Sequence, residues 1–201
     1  SNEGANAGPL EGFEKAKVKN YADSVEGIRD RNRKIDAMSD VISRHVPRLD
    51  KKYLDPNITT IDRQIGHTEV LLGALISGLT NVVAFTVDEL GHRYTGFPGL
   101  EGTRLNMHDV GHNKVIGGFT AEEIRDRCRT HHMSLIDRIV KRLKSVPEDG
   151  GTMFDNTTIF YFPDGGETHH SRGSEYPFVV LSGDNTRVDL RRRYVRLPNY
   201  G

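Results

Sequence analysis

The chain has 201 residues, 28 Lys+Arg against 28 Asp+Glu, one cysteine, no tryptophan and nine histidines. That length supports one domain with a core of its own, and the balanced charge argues against nucleic acid or an anionic membrane as main partner, since both need a basic surplus. No apolar run approaches the ~20 residues of a membrane span, no signal peptide opens the chain, and Cys128 alone excludes a disulfide framework or a multi-cysteine zinc site.

Residues 1–12 are rich in Gly, Asn and Ala, include Pro9 and read as a disordered leader, leaving 13–201 as a single α/β domain. From about Ala22 to Val46, Val25, Ile28, Ile35, Met38, Val41, Ile42 and Val46 recur at helical spacing, and Pro47 ends the helix. A linker through Asp55-Pro56-Asn57 leads to a second helix over about Asp62–Gly78, with a broad apolar set from Ile65 to Leu79. Asn81–Val87 is nearly continuous in apolar residues and predicts a strand covered on both faces.

Between Gly91 and Gly118 seven glycines predict a long irregular segment, and loops of that length in compact domains are usually functional. Thr120 and Glu123 form a capping box for a helix to about Ser145, with Ile124, Cys128, Leu135, Ile139 and Leu143 as its buried stripe. Pro147 and Gly150-Gly151 stop it. Thr157–Phe162 and Pro177–Leu181 predict two further strands, followed by a basic strand-like stretch around Val188–Val195 whose arginines read as a solvated edge. This alternation predicts an α/β fold with a central, mostly parallel sheet flanked by helices.

Chemistry concentrates at the predicted strand ends. Asp88 follows Val87, and Asp164 follows Phe162 by one proline. In open α/β sheets ligands bind beyond the carboxyl ends of strands. Either aspartate alone would ordinarily cap a turn, but the neighbours add ligand chemistry. His92 lies four positions after Asp88, and Glu167, His169 and His170 follow Asp164 in a Gly-rich loop. Carboxylate oxygen with neutral imidazole is a donor set for zinc, with manganese, calcium or iron as alternatives. A third cluster, His108-Asp-Val-Gly-His112, has the His-x-x-x-His spacing of zinc peptidases, which works because i and i+4 share a helix face. Here Asp109 stands in place of Glu and Gly111 weakens a helix, so a loop contribution to the same crevice fits as well. His131-His132 falls within the capped helix and receives no role.

The stretch Asp155-Asn-Thr-Thr-Ile-Phe-Tyr-Phe-Pro-Asp164-Gly-Gly resembles the late-chain signature of the alkaline phosphatase and sulfatase superfamily, and Asp88-Glu-Leu-Gly-His92 is similar to that superfamily's earlier Asp-x-x-Gly-His segment. A broader likeness, over about Val18–Tyr194, is to an uncharacterised family of exported bacterial proteins distantly similar to the same superfamily. It is carried by Tyr21-Ala-Asp-Ser-Val25, Gly78-Leu-Thr-Asn-Val82, the His108/His112 segment and Gly150–Asp164. The resemblance implies an alkaline phosphatase-like fold, of which this chain is the C-terminal part, and an exported location. It also implies that Asp88, His92 and His169 or His170 hold one metal while Asp164 holds another. Gly165 stands where the classical enzymes carry a second ligand, and their nucleophile segment has no counterpart here.

The expectation is therefore a metal-dependent hydrolase of phosphate or sulfate esters, with a small anionic ester as substrate. The metal ligands are Asp88, His92, Asp164, His169 and His170, joined by His108 and His112. Glu167 is the acid/base, and Arg172 grips the anion through its guanidinium fork. Two alternatives accompany it: a non-catalytic exported binding module that keeps the fold, and a zinc peptidase through His108 and His112. Oligomeric state stays open, since the first helix can pack within the domain or against another subunit.

Overall fold

The computed structural model describes residues 12–87, 93–163, 178–187 and 193–194, and the chain divides into two compact units, Ser1–His45 and Val46–Gly201. The first contains α1 (Gly12–Ala37) and α2 (Ser39–His45). Helical hydrogen bonding continues across their junction, where Met38 N–H donates to Lys34 O at 3.0 Å and Ile42 N–H to Met38 O at 2.9 Å. The helix thus begins ten residues earlier than its apolar periodicity announces and stops short of Pro47, as a residue ahead of proline favours.

In the second unit a 3-10 turn (Lys51–Leu54) precedes α3 (Thr60–Ile76). Thr59 starts α3 by accepting the Asp62 N–H at 3.1 Å, satisfying one of the free donors of the first turn. The strands β1 (Arg93–Tyr94) and β2 (Leu105–Asn106) pair antiparallel, with Arg93 opposite Asn106, and β2 runs straight into α4 (Met107–Gly111). Then come α5 (Ala121–Lys144), a short antiparallel pair of β3 (Pro147–Glu148) and β4 (Gly151–Thr152), a second 3-10 turn (Met153–Asn156), and β5 (Thr158–Tyr161). β5 pairs antiparallel with β6 (Val179–Ser182), Thr158 opposite Ser182.

The predicted central, mostly parallel sheet is overturned. Among the described residues the sheets are three separate two-stranded antiparallel ladders, and helices dominate the fold. The segment Asn81–Val87, read as a doubly covered strand, joins no ladder. Val82 is 81% exposed. An apolar run becomes a sheet strand only where a partner strand lies alongside, and among the described residues none is paired with 81–87. The predicted strands Thr157–Phe162 and Pro177–Leu181 correspond, in their described parts, to β5 and β6, but these pair antiparallel. Among the described residues the alkaline phosphatase-like sheet is therefore not formed. Of the expected leader (1–12), 1–11 lie outside the described residues, as does the stretch 188–192, while Gly12 already opens α1.

The Gly-rich segment, expected to be irregular, supplies five of the eight buried residues of the main core. Tyr94, Phe97, Leu100, Leu105 and Val110 pack with Ala121, Ile124 and Cys128 of α5. Ile124 and Leu105 are fully inaccessible, each contributing about 1.5–3 kcal/mol by leaving water. The segment is pinned to the start of α3, where Thr60 N–H donates to Thr95 Oγ1 at 3.0 Å. Gly96, at φ +92°, sits so close to Thr59 that an added Cβ would lie 2.7 Å from its Cβ, so only glycine fits. A second cluster joins Leu72 of α3, Leu143 of α5 and Phe154. Among the described residues no helix is long and apolar enough to cross a membrane.

Candidate functional site

Two pairs of histidines stand out, and they are built differently. The first is on α4, a single turn held at both ends. Asn106 caps its start, accepting the His108 N–H at 3.0 Å. At its end Arg125, from α5, donates to Val110 O at 3.2 Å and to Asn113 Oδ1 at 3.1 Å. Val110, on the inner face, is buried in the main core. That anchoring turns positions 108 and 112 outward on one face.

The two imidazoles meet there. His108 Nε2 and His112 Nε2 are 3.0 Å apart, with ring centroids at 4.6 Å. Two nitrogens held by one zinc ion at about 2.0–2.1 Å in tetrahedral geometry would be about 3.3 Å apart. The pair therefore needs only a few tenths of an ångström of opening to share an ion. The irregular backbone that Gly111 suggested is absent, and the turn is helical.

Asp109, which follows the first histidine, is turned to Lys114. Its Oδ1 accepts from Lys114 Nζ at 2.6 Å. That ammonium, through the hydrogen bond first and its charge second, holds the carboxyl below the usual carboxylate range. A carboxylate stabilised in this way is a poor proton acceptor.

The second pair, His131 and His132, lies where α5 crosses α3. It was given no role by sequence, and it forms the centre of a buried polar network. Gln64 Oε1 can only accept, so His131 donates to it through Nε2 at 2.7 Å. The Gln64 amide donates to Val87 O and to the Tyr94 hydroxyl. Tyr94 donates to Val87 O at 2.7 Å, so its oxygen receives His132 Nε2–H at 3.4 Å. That fixes His132 Nδ1 as acceptor for the Tyr161 hydroxyl at 3.1 Å. Each contact in this chain joins one donor to one acceptor with both rings neutral. Burial pushes His132 down to about 4, with the neighbouring His131 as second cause, and burial lowers His131 too.

The network ties together two roots of the predicted site. Val87 is the last described residue before segment 88–92, and Tyr161 lies on β5, ahead of Pro163. Through Tyr94 and His132 the Val87 carbonyl and the Tyr161 hydroxyl belong to one hydrogen-bonded chain. No local sequence signal reveals it, because all but one of its contacts span 23 to 67 positions; the clue was a pair of histidines at the edge of a buried helical stripe.

Of the residues expected to form the site, His108 and His112 are brought together. Asp88, His92, Asp164, Glu167, His169, His170 and Arg172 lie outside the described residues. Among the described residues no group of three or more His, Cys, Asp or Glu side chains is positioned around one point. Cys128 is buried in the core, as its place on the helical stripe suggested. Comparison with family models, with curated proteins and with solved structures finds no match to this chain.

Proposed function

We propose that the chain binds a divalent transition metal, zinc first, through His108 and His112, and uses it to hydrolyse a small phosphate or sulfate ester. The observation that carries this reading is the 3.0 Å approach of the two Nε2 atoms on an anchored, outward-facing helical turn. Two imidazoles are half of a tetrahedral site. On the chemistry of their side chains, Asp88, His92, Asp164 and His169 or His170 are the candidates for the remaining donors. A bound cation would supply what ester hydrolysis needs, a coordinated water whose pKa falls from ~15.7 towards ~7 and neutralisation of charge on the departing group. Glu167 would move the proton and Arg172 would hold the anionic oxygens.

The same pair keeps the zinc-peptidase reading in view, since its imidazoles share a helical face. That mechanism assigns the residue after the first histidine as general base, and Asp109 is instead committed to Lys114. Ester hydrolysis makes no such demand on Asp109.

The test is hydrolysis of aryl phosphate and aryl sulfate by the full chain supplied with zinc or manganese. Turnover should vanish with a chelator and fall at least about a hundredfold in His112→Ala, the scale on which metal chemistry contributes. Turnover indifferent to chelator and to His112 would overturn the proposal. Zinc bound without turnover would leave a binding module, and cleavage of an unstructured peptide instead would favour the peptidase.

A further inference from the structure

The surface α1 and α2 present is the unused feature. Neither helix buries a side chain, and Val18, Tyr21 and Ile28 are half or more exposed. An isolated helix of this kind is marginal in water, and Gly27 in its interior weakens it further. Such a helix normally owes its stability to a partner along its apolar stripe.

The stripe has a coiled-coil period. Val18, Tyr21, Val25, Ile28, Asn32, Ile35, Ser39 and Ile42 alternate at spacings of three and four, the a and d positions of more than three heptads. The repeat runs on through the junction at Met38, where helical hydrogen bonding persists. The ion pair between Arg33 and Asp30 lies on the other side of the helix, away from this seam.

Two features select the partner. Asn32 takes a central a position, where a polar side chain costs stability against any apolar surface but is satisfied by its own equivalent across a parallel two-stranded seam. Arg31 and Asp36 take g and the following e positions. Five residues apart, they point away from each other on their own helix, and neither has an ion pair among the described residues. Across a parallel, in-register seam, g meets the following e of the second strand, so Arg31 of one copy would face Asp36 of the other, twice by symmetry. From this charge complementarity and the placement of Asn32 we infer that α1 and α2 form a parallel two-stranded coiled coil with a second copy of this chain.

The experiment is sedimentation of the full chain over a range of concentrations, with a set of variants. The wild type should be dimeric. Ile28→Asp with Ile35→Asp should weaken dimerisation at least about a hundredfold, since two apolar seam residues per strand are lost. Asp36→Arg should weaken it about tenfold, and adding Arg31→Asp should restore it. Val18→Cys should cross-link to its own copy on oxidation, which only strands aligned in the same direction allow. A chain monomeric at every concentration, a dimer indifferent to Ile28 and Ile35, or a charge swap that fails to rescue would each overturn the inference. An antiparallel pair would do so as well, by leaving the Val18→Cys chains unlinked while the dimer persists.

Discussion

The two histidine pairs carry the same ring chemistry and have opposite surroundings. His108 and His112, on α4, turn outward from a core that holds the opposite side of their helical turn. His131, half-buried, and His132, buried, are taken in where α3 and α5 meet, and burial disfavours the charged form of each ring. The first pair brings its Nε2 atoms together at the surface; in the second, His131 Nε2 and both nitrogens of His132 are engaged by Gln64, Tyr94 and Tyr161. Environment, more than residue type, decides whether an imidazole is a ligand or a structural crosslink.

The largest effect that would break this contrast is on stability. His132→Ala should cost about 3 kcal/mol, because it opens a cavity and strips the Tyr94 and Tyr161 hydroxyls of a partner at once. His112→Ala, at an exposed position, should change stability by less than about 0.5 kcal/mol. Urea midpoints for the two variants measure the difference, and comparable losses would erase the distinction between the pairs.

Acid sharpens the contrast further. The folded chain holds His132 at about 4 against 6.5 for a free imidazole. Between those values the unfolded chain binds the extra proton, so stability falls as pH drops from 6.5 towards 4. Above 6.5 this group contributes no slope, and over the whole window the loss reaches up to about 3 kcal/mol. Urea unfolding at several pH values, with His132→Gln as reference, isolates the effect. An identical pH profile in the two chains would contradict it.

How much of this was legible in the sequence follows from the range of the interactions. The α5 start was readable because a capping box is local: Thr120 accepts from Glu123 N–H, and the Glu123 carboxylate accepts the Thr120 N–H at 2.8 Å. Burial of Ile124, Cys128, Leu135 and Leu143 followed from spacing alone. The sheet was not readable, because Val82-Val83 and Thr158–Tyr161 have similar β-rich character. Only β5 finds a strand to pair with, and the choice of neighbour and direction is tertiary. The Gly-rich segment misled for a related reason, since its glycines punctuate turns between buried anchors such as Tyr94, Phe97 and Leu105. At the candidate site the His108/His112 spacing was visible. The outward orientation depends on Arg125, more than a helical turn into a different element, and on Val110 entering the core. The Gln64–Tyr94–His132–Tyr161 network could not be read at all, being assembled from four distant positions.

The account rests above all on the outward pair binding metal, and zinc titration followed by calorimetry tests that most directly. The full chain should bind zinc, and His108→Ala with His112→Ala should weaken that binding at least about a hundredfold while the fold, read by helical circular dichroism, is retained. Equal affinity and stoichiometry in the two chains would contradict the account.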